Sequence, residues 1–282
     1  MNKEEQLKHI EENFPFSSGI HSNRRIRQNI FSSIDTEFQA YLLGLYASDG
    51  NINEKRKTFR IHVQEQDSDI IHTIKDIIAP DSRVFTLENR ICVSPRNGNI
   101  YKGNNSFGVD INSSKICNDL VNLGIGYNKT YSENKIPKID KTLIRHFIRG
   151  YFDGDGTISG SYVKPDPKWK KKENFRSYAG FCCKTQTMLE EIQAFLKENG
   201  IRSTLCYAKR DNMYQLSVPK SQLSDLFNLL YKDANFYIKR KYIKFDHYVN
   251  TEVTQLIDEY RNAQKVNAND SNNPSKSAEH PK

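Results

Sequence analysis

Two aspartates set in matching surroundings carry the most informative chemistry in this chain of 282 residues. Asp49 lies in AYLLGLYASDG and Asp155 in FIRGYFDGDG; each precedes a glycine, and each follows another glycine, Gly44 or Gly150, at the same spacing. The apolar pattern puts both runs on helices, with the acids in the last turn, where the helix macrodipole is already negative. Side by side, the carboxylates would repel each other. Packing gives no reason for such a pairing, whereas a divalent cation between the acids would make it favourable. Hard oxygen ligands with open positions suit Mg²⁺, with Mn²⁺ able to substitute. Gly50 and Gly156 are expected to end the helices in left-handed geometry and turn a backbone carbonyl toward the same ion. The expected metal set is therefore Asp49, Asp155, Gly50 and Gly156.

Bringing the acids together requires two helices in close contact. Ala40, Gly44 and Ser48 place a small residue at every fourth position of the first run. Gly150 and Gly154 do so in the second, with His146 interrupting the series. This spacing lets backbones approach closely, which makes Gly44, Ser48, Gly150 and Gly154 the expected helix interface. Either run alone would equally suit an ordinary packed helix pair.

The elements around the two runs repeat as well. After the first come the strand-like TFRIHVQEQ, a helix with Ile70, Ile71, Ile74, Ile77 and Ile78 on one face, the strands RVFTLENRICVSP and SFGVDINSS, and the helix KICNDLVNLGI. After the second come YAGFCCKT, the helix TMLEEIQAFLKENGI closed by Gly200, the strands RSTLCYAKR and YQLSVPK, and the helix SQLSDLFNLLYKD. The fold class expected is α+β, with two pseudo-symmetric αββαββα halves, each carrying a four-stranded antiparallel sheet. The boundaries expected are an N-terminal extension over 1–34, which contains the basic segment HSNRRIRQN, and halves over 35–139 and 140–250. Residues 251–282 read as a C-terminal helix end and then a disordered tail. From Asn262 the chain is rich in Asn, Ser and Lys and nearly free of apolar residues.

Composition narrows the partner. Lys and Arg number 42 against 34 Asp and Glu, a net charge of +8 with a pI near 9.1, which suits a polyanion without requiring one. No stretch nears the roughly 18 apolar residues a membrane span needs, and the charged start MNKEEQLKHIEENF is unlike a secretory signal. These features point to an intracellular protein, cytoplasmic or organellar, with no membrane partner. The odd cysteine count and the absence of C-x-x-C favour free thiols, with Cys182 and Cys183 in packing roles. The histidines fit neither H-E-x-x-H nor zinc spacing, no phosphate-loop or dinucleotide fingerprint occurs, and no intein splicing signal is seen. The chain is expected to be free-standing. Two basic runs occupy equivalent places in the halves: NEKRKTFR, with Lys55, Arg56, Lys57 and Arg60, and YVKPDPKWKKKENFR, with Lys164, Lys168, Lys170, Lys171, Lys172 and Arg176. Such runs are often solvated loops, but their matched placement favours contact with phosphates.

AYLLGLYASDG and HFIRGYFDGDG resemble the two motifs of the LAGLIDADG homing endonuclease family, and the resemblance extends over residues 35–250. It implies a DNA-binding saddle formed by the two sheets, and a monomer that hydrolyses one phosphodiester in each strand across a minor groove. Asp49 and Asp155 take the place of the family's metal-binding acids; Ala47 stands where the family often has Asp, at a position that is not a ligand. The resemblance also implies a lysine in each half near the cleaved phosphates, at Lys129 and Lys239. Lys184 and either Glu65 or Gln66 are implied as residues that organise solvent. Because the halves differ, the implied partner is double-stranded DNA with a long asymmetric target site. Two other functions fit the same fold: an RNA-binding maturase acting on intron RNA, and a DNA-binding regulator that does not cleave.

Overall fold

The chain opens with α1 (Lys3–Asn13), capped reciprocally by Asn2 and Glu5, and a short antiparallel hairpin, β1 (Ser17–Gly19) and β2 (Ser22–Ile26). A computed structural model describes residues 1–19, 22–88, 91–93, 98, 100–127, 135–170 and 172–271. The first half then runs α2 (Glu37–Asp49), β3 (Gly50–Asn53), β4 (Thr58–Gln64), α3 (Ser68–Ile78), β5 (Val84–Leu87), β6 (Ile91–Val93), β7 (Ile100–Lys102), β8 (Ser106–Asn112) and α4 (Ser114–Asn122). The second runs α5 (Lys141–Asp155), β9 (Thr157–Val163), β10 (Asn174–Cys183), α6 (Thr187–Glu198), β11 (Thr204–Ala208), β12 (Met213–Pro219) and α7 (Leu223–Tyr231), followed by α8 (Lys239–Asn250) and α9 (Val253–Ser271).

Both halves build a four-stranded antiparallel sheet with one topology, β3-β4-β8-β5 in the first and β9-β10-β12-β11 in the second. Strand alternation gives each sheet two unlike faces. In β4, Phe59, Ile61 and Val63 are buried under the helices while Arg60, His62 and Gln64 face the other way. In the second sheet Ala179, Phe181, Leu216 and Val218 are buried, whereas Arg176 and Tyr178 are exposed. Register carries the polar face across strands: Arg60 pairs with Asp110, and Ser161 with Arg176. The architecture is that of two pseudo-symmetric halves presenting a polar saddle.

Two sequence expectations need correction. RVFTLENRICVSP is not one strand: β5 pairs with β8, while β6 pairs with β7 in a separate hairpin whose Ile91, Val93 and Ile100 are exposed. The residues expected to begin a disordered tail at Asn262 continue α9 to Ser271. Ala263, Gln264 and Lys265 are sound helix formers, and the helix is seeded upstream, where Leu256 and Ile257 pack on Phe175 of β10 and Tyr260 stacks on Tyr162 at 5.3 Å. Residues 272–282 lie outside the described residues. The N-terminal extension is part of the core, with Ile10, Phe14, Ile30 and Phe31 buried in the same cluster as the motif helices.

Candidate active site

Two glycines set the distance between α2 and α5. A Cβ on Gly44 would lie 1.9 Å from the Phe147 carbonyl oxygen and 2.8 Å from the Tyr151 nitrogen. A Cβ on Gly150 would lie 2.0 Å from the Tyr41 carbonyl oxygen and 2.7 Å from the Leu45 nitrogen. The contact is backbone on backbone in both directions, so no side chain could yield to make room. It continues to the C-terminal ends of the helices, where Gly154 abuts Ser48 and the Asp49 carboxylate, whose Oδ2 would stand 2.7 Å from a Cβ on Gly154. Asp49 therefore presses against the residue immediately before Asp155. Asp49 is half-buried and Asp155 exposed, so the pair opens outward from the helix ends.

Gly50 and Gly156 do not adopt left-handed geometry. Their φ angles are −87° and −73°, extended backbone that leads straight into β3 and β9. Glycine is required there for space: a Cβ on Gly50 would fall 2.0 Å from the Tyr46 ring, and one on Gly156 would fall 2.3 Å from the Phe152 ring. The strand begins before a left-handed cap could form. The Gly156 carbonyl is also engaged, accepting from the Lys241 ammonium, which reaches the Phe152 carbonyl oxygen at 3.5 Å as well.

Lys241 is a residue that the sequence reading missed. Burial lowers its pKa below the ordinary lysine value, while the carboxylates of Asp153, Asp49 and Asp155 pull the other way. One ammonium thus feels both motif acids. Lys239, the lysine named from the sequence, is exposed at the first position of α8 and lines a groove of about 630 Å³ with Gln66 and Arg240. Two residues along a helix is a turn of roughly 200°, which sends Lys239 and Lys241 to nearly opposite faces.

A buried polar network holds α8, and with it Lys241. Asp153, the acid two places before Asp155, is 1% exposed and accepts from Tyr231 Oη at 2.6 Å, Tyr41 Oη at 2.9 Å and the Ile238 amide at 2.7 Å. Burial raises its pKa against the effect of these donors. Because Ile238 caps α8, the bond ties the start of that helix to the motif helix. Toward the other end of α5, the fully buried Arg149 donates to Glu37 Oε1 at 2.6 Å and to the carbonyls of Phe236 and Leu230, each at 2.9 Å. It also donates to His146 Nδ1 at 2.8 Å, which accounts for histidine where a small residue was expected. Burial and the adjacent guanidinium push the His146 pKa down to about 3, so the ring is neutral at ordinary pH.

The remaining sequence candidates are dispersed. Gln66 donates to Gln64 Oε1 at 2.6 Å, and Glu65 accepts from Asn105 Nδ2 at 2.7 Å, both on the surface. Lys184 is exposed and donates to the Asn212 carbonyl at 3.0 Å. Its charge and that of Lys241 both reach Cys182, whose thiol burial pushes up to about 11 and whose Sγ lies 3.4 Å from the Asp155 carbonyl oxygen. Cys117, Cys182, Cys183 and Cys206 are free thiols. Lys129 and Lys171 lie outside the described residues.

The basic runs reach the open side of the sheets. Lys55 and Arg56 are exposed in the β3–β4 turn, and Lys57, at φ +48°, donates to Tyr127 Oη at 3.0 Å. Arg60 is clamped to Asp110 by bonds of 2.7 and 2.6 Å on the polar face. Lys168, Lys170 and Lys172 are exposed between β9 and β10, and Arg176 projects from β10.

The donors left near the helix ends are all oxygen: the Asp49 and Asp155 carboxylates and the Gly50 carbonyl, the Gly156 carbonyl being engaged by Lys241. That set suits a hard divalent cation. Among the described residues no cluster of three His, Cys, Asp or Glu forms, so protein acids alone would leave most coordination positions to water or a substrate oxygen. An open site of this kind fits Mg²⁺, which keeps several waters and is commonly held by one or two carboxylates together with substrate phosphates.

Residues 142–230 match the LAGLIDADG-like domain. Among solved structures the chain is similar to a lysine-to-alanine mutant of I-SmaMI, with 12% identity, 74% of this chain and 88% of that one covered, and a TM-score of 0.50. It also matches the homing endonuclease I-WcaI bound to its DNA recognition sequence, with 14% identity, coverage of 83% and 96%, and a TM-score of 0.48. The LAGLIDADG meganuclease I-AabMI bound to uncleaved DNA matches with 12% identity, coverage of 74% and 87%, and a TM-score of 0.48. No curated protein matches the chain by sequence. At 12% identity the first of these structures speaks to the fold alone. A LAGLIDADG-like domain thus occupies the second half, and the first half repeats its sheet topology and packs a second motif helix against it, glycine to glycine.

Proposed function

We propose that this protein is a site-specific DNA endonuclease that acts as a monomer and hydrolyses one phosphodiester in each strand across a minor groove. The observation that carries the reading is the reciprocal glycine contact, which presses the Asp49 carboxylate against Gly154, next to Asp155. A non-cleaving DNA regulator would have no use for two acids held together at the negative ends of two helices. Asp49 and Asp155, with the carbonyl of Gly50, would hold divalent metal, the Gly156 carbonyl being taken by Lys241. Bound there, Mg²⁺ or Mn²⁺ supplies activation of water and neutralisation of charge on the leaving oxygen. Lys241 adds positive charge to the same end of the helix pair, placed to favour a phosphate as negative charge builds on it. Asp153 fixes α8 so that this ammonium is pre-positioned. Polar side chains on the open sheet faces read base edges in the flanking major grooves, while Lys and Arg fix register on the backbone. Unlike sequences in the two halves make the preferred duplex site asymmetric.

The test pairs a plasmid library incubated with the protein and Mg²⁺, with EDTA as control, with an intron-splicing assay. Linear plasmid that depends on metal supports the endonuclease. Splicing assistance without cleavage would support an RNA-binding maturase in its place.

A further inference from the structure

The N-terminal hairpin is tied to the first half, with Ile26 buried in the core and Arg25 and Arg27 bonded to it. The Arg25 guanidinium clasps Asp81 ahead of β5, with Nε to Oδ2 at 3.1 Å and Nη2 to Oδ1 at 3.0 Å, and the Arg25 amide donates to the same carboxylate at 2.9 Å. Arg27 donates to the carbonyls of Ile77 at 2.9 Å and Phe14 at 2.7 Å and lies 3.8 Å over the Phe16 ring. These contacts use the Arg25 and Arg27 side of the strand. Arg24, two places before the buried Ile26, is itself exposed and lines a groove of about 880 Å³ over the polar face of the first sheet.

Asn51 and Asn53 of β3, Arg56, Arg60 and Arg83 share that groove with Arg24. Its acid, Asp110, is already engaged by Arg60. Guanidinium groups around a floor of side-chain amides match a ligand that carries phosphates outside and hydrogen-bonding edges inside, which describes a nucleic acid duplex. The repeat does not duplicate the arm: among the described residues no strand precedes α5 within its half. We infer that the N-terminal hairpin is a DNA-contacting arm, in which Arg24, together with Arg83, holds backbone phosphates of the duplex lying on the first sheet. The inference rests on the DNA-binding reading above and assigns it an element outside the repeated halves.

The test is equilibrium binding of the full chain to a random-sequence duplex across a salt series, with melting curves on every variant. Arg24→Ala and Arg83→Ala are each expected to weaken binding and to flatten the log K versus log[salt] slope by about 0.9, one phosphate contact apiece. Both residues are exposed, so melting should stay at the wild-type value. Arg24→Lys should keep the slope, because an ammonium still neutralises a phosphate. Lys8→Ala, on the exposed side of α1 beside Glu12, should change neither quantity. Wild-type slopes in Arg24→Ala and Arg83→Ala would overturn the arm while leaving DNA binding intact. A wild-type protein that binds no duplex would overturn both.

Discussion

At the scale of single residues, two lysines a short step apart on α8 have different fates. Lys241 is half-buried against Gly156 and feels both motif acids, whereas Lys239 faces a surface groove. Replacing Lys241 with Met should reduce cleavage by about 10²–10³-fold, the range for loss of one preorganised electrostatic contact. The same change at Lys239 should leave cleavage within a few-fold of wild type, and steady-state cleavage rates on one duplex separate the two. His146 offers a second check, read in stability. Its folded pKa, about 3, lies below the ordinary value of 6.5, so between those values the unfolded chain binds a proton that the folded chain does not. Its contribution is therefore fully present above pH 6.5 and is lost as pH falls toward 3, at up to about 1.4 kcal/mol for each pH unit. His146→Asn keeps an acceptor for Arg149 and removes the titration, so its melting temperature should fall less between pH 7 and pH 5. Equal falls in the two proteins would show that the ring is not held neutral.

At the scale of elements, the helix pair is where fold and chemistry meet. A leucine at Gly150 would drive its Cβ into the Tyr41 carbonyl, a backbone atom that cannot swing aside. Overpacking of this kind costs about 1–3 kcal/mol or more, so Gly150→Leu should lower the melting temperature by several degrees and abolish cleavage. An equally bulky change at Asn262 on the exposed side of α9 should do neither. The motif helices and the strand alternation were legible because small-residue spacing and period-two burial are local patterns. Other features depended on partners distant in sequence. The β6–β7 hairpin splits from β5 because β5 takes β8 as its partner, a choice that RVFTLENRICVSP does not encode by itself. The continuation of α9 depends on Phe175, far back in β10. Gly50 and Gly156 suggested left-handed caps by type, but the rings of Tyr46 and Phe152 are what demand glycine there. Asp153, adjacent in sequence to the motif acid, could have been flagged as structural from the apolar run around it. That it holds the Ile238 amide could not.

At the scale of the molecule, the two halves share one sheet topology yet carry different surroundings, an arm before the first and helices α8 and α9 after the second. Two motif acids flanked by unlike sheet surfaces are suited, in the proposed function, to an asymmetric duplex site. The proposed function puts base readout on the sheets and chemistry at the helix ends, so the two should separate on mutation. The most direct measurement is double-strand cleavage by Asp49→Asn, Asp155→Asn and the double variant in Mg²⁺, run beside binding of the same duplex. The expected result is that each single variant loses double-strand cleavage, with at most nicking of one strand, and the double variant cuts neither strand, while binding stays within about tenfold of wild type because base and phosphate contacts lie elsewhere. A double variant that binds and linearises the duplex at the wild-type rate would contradict the two-acid site.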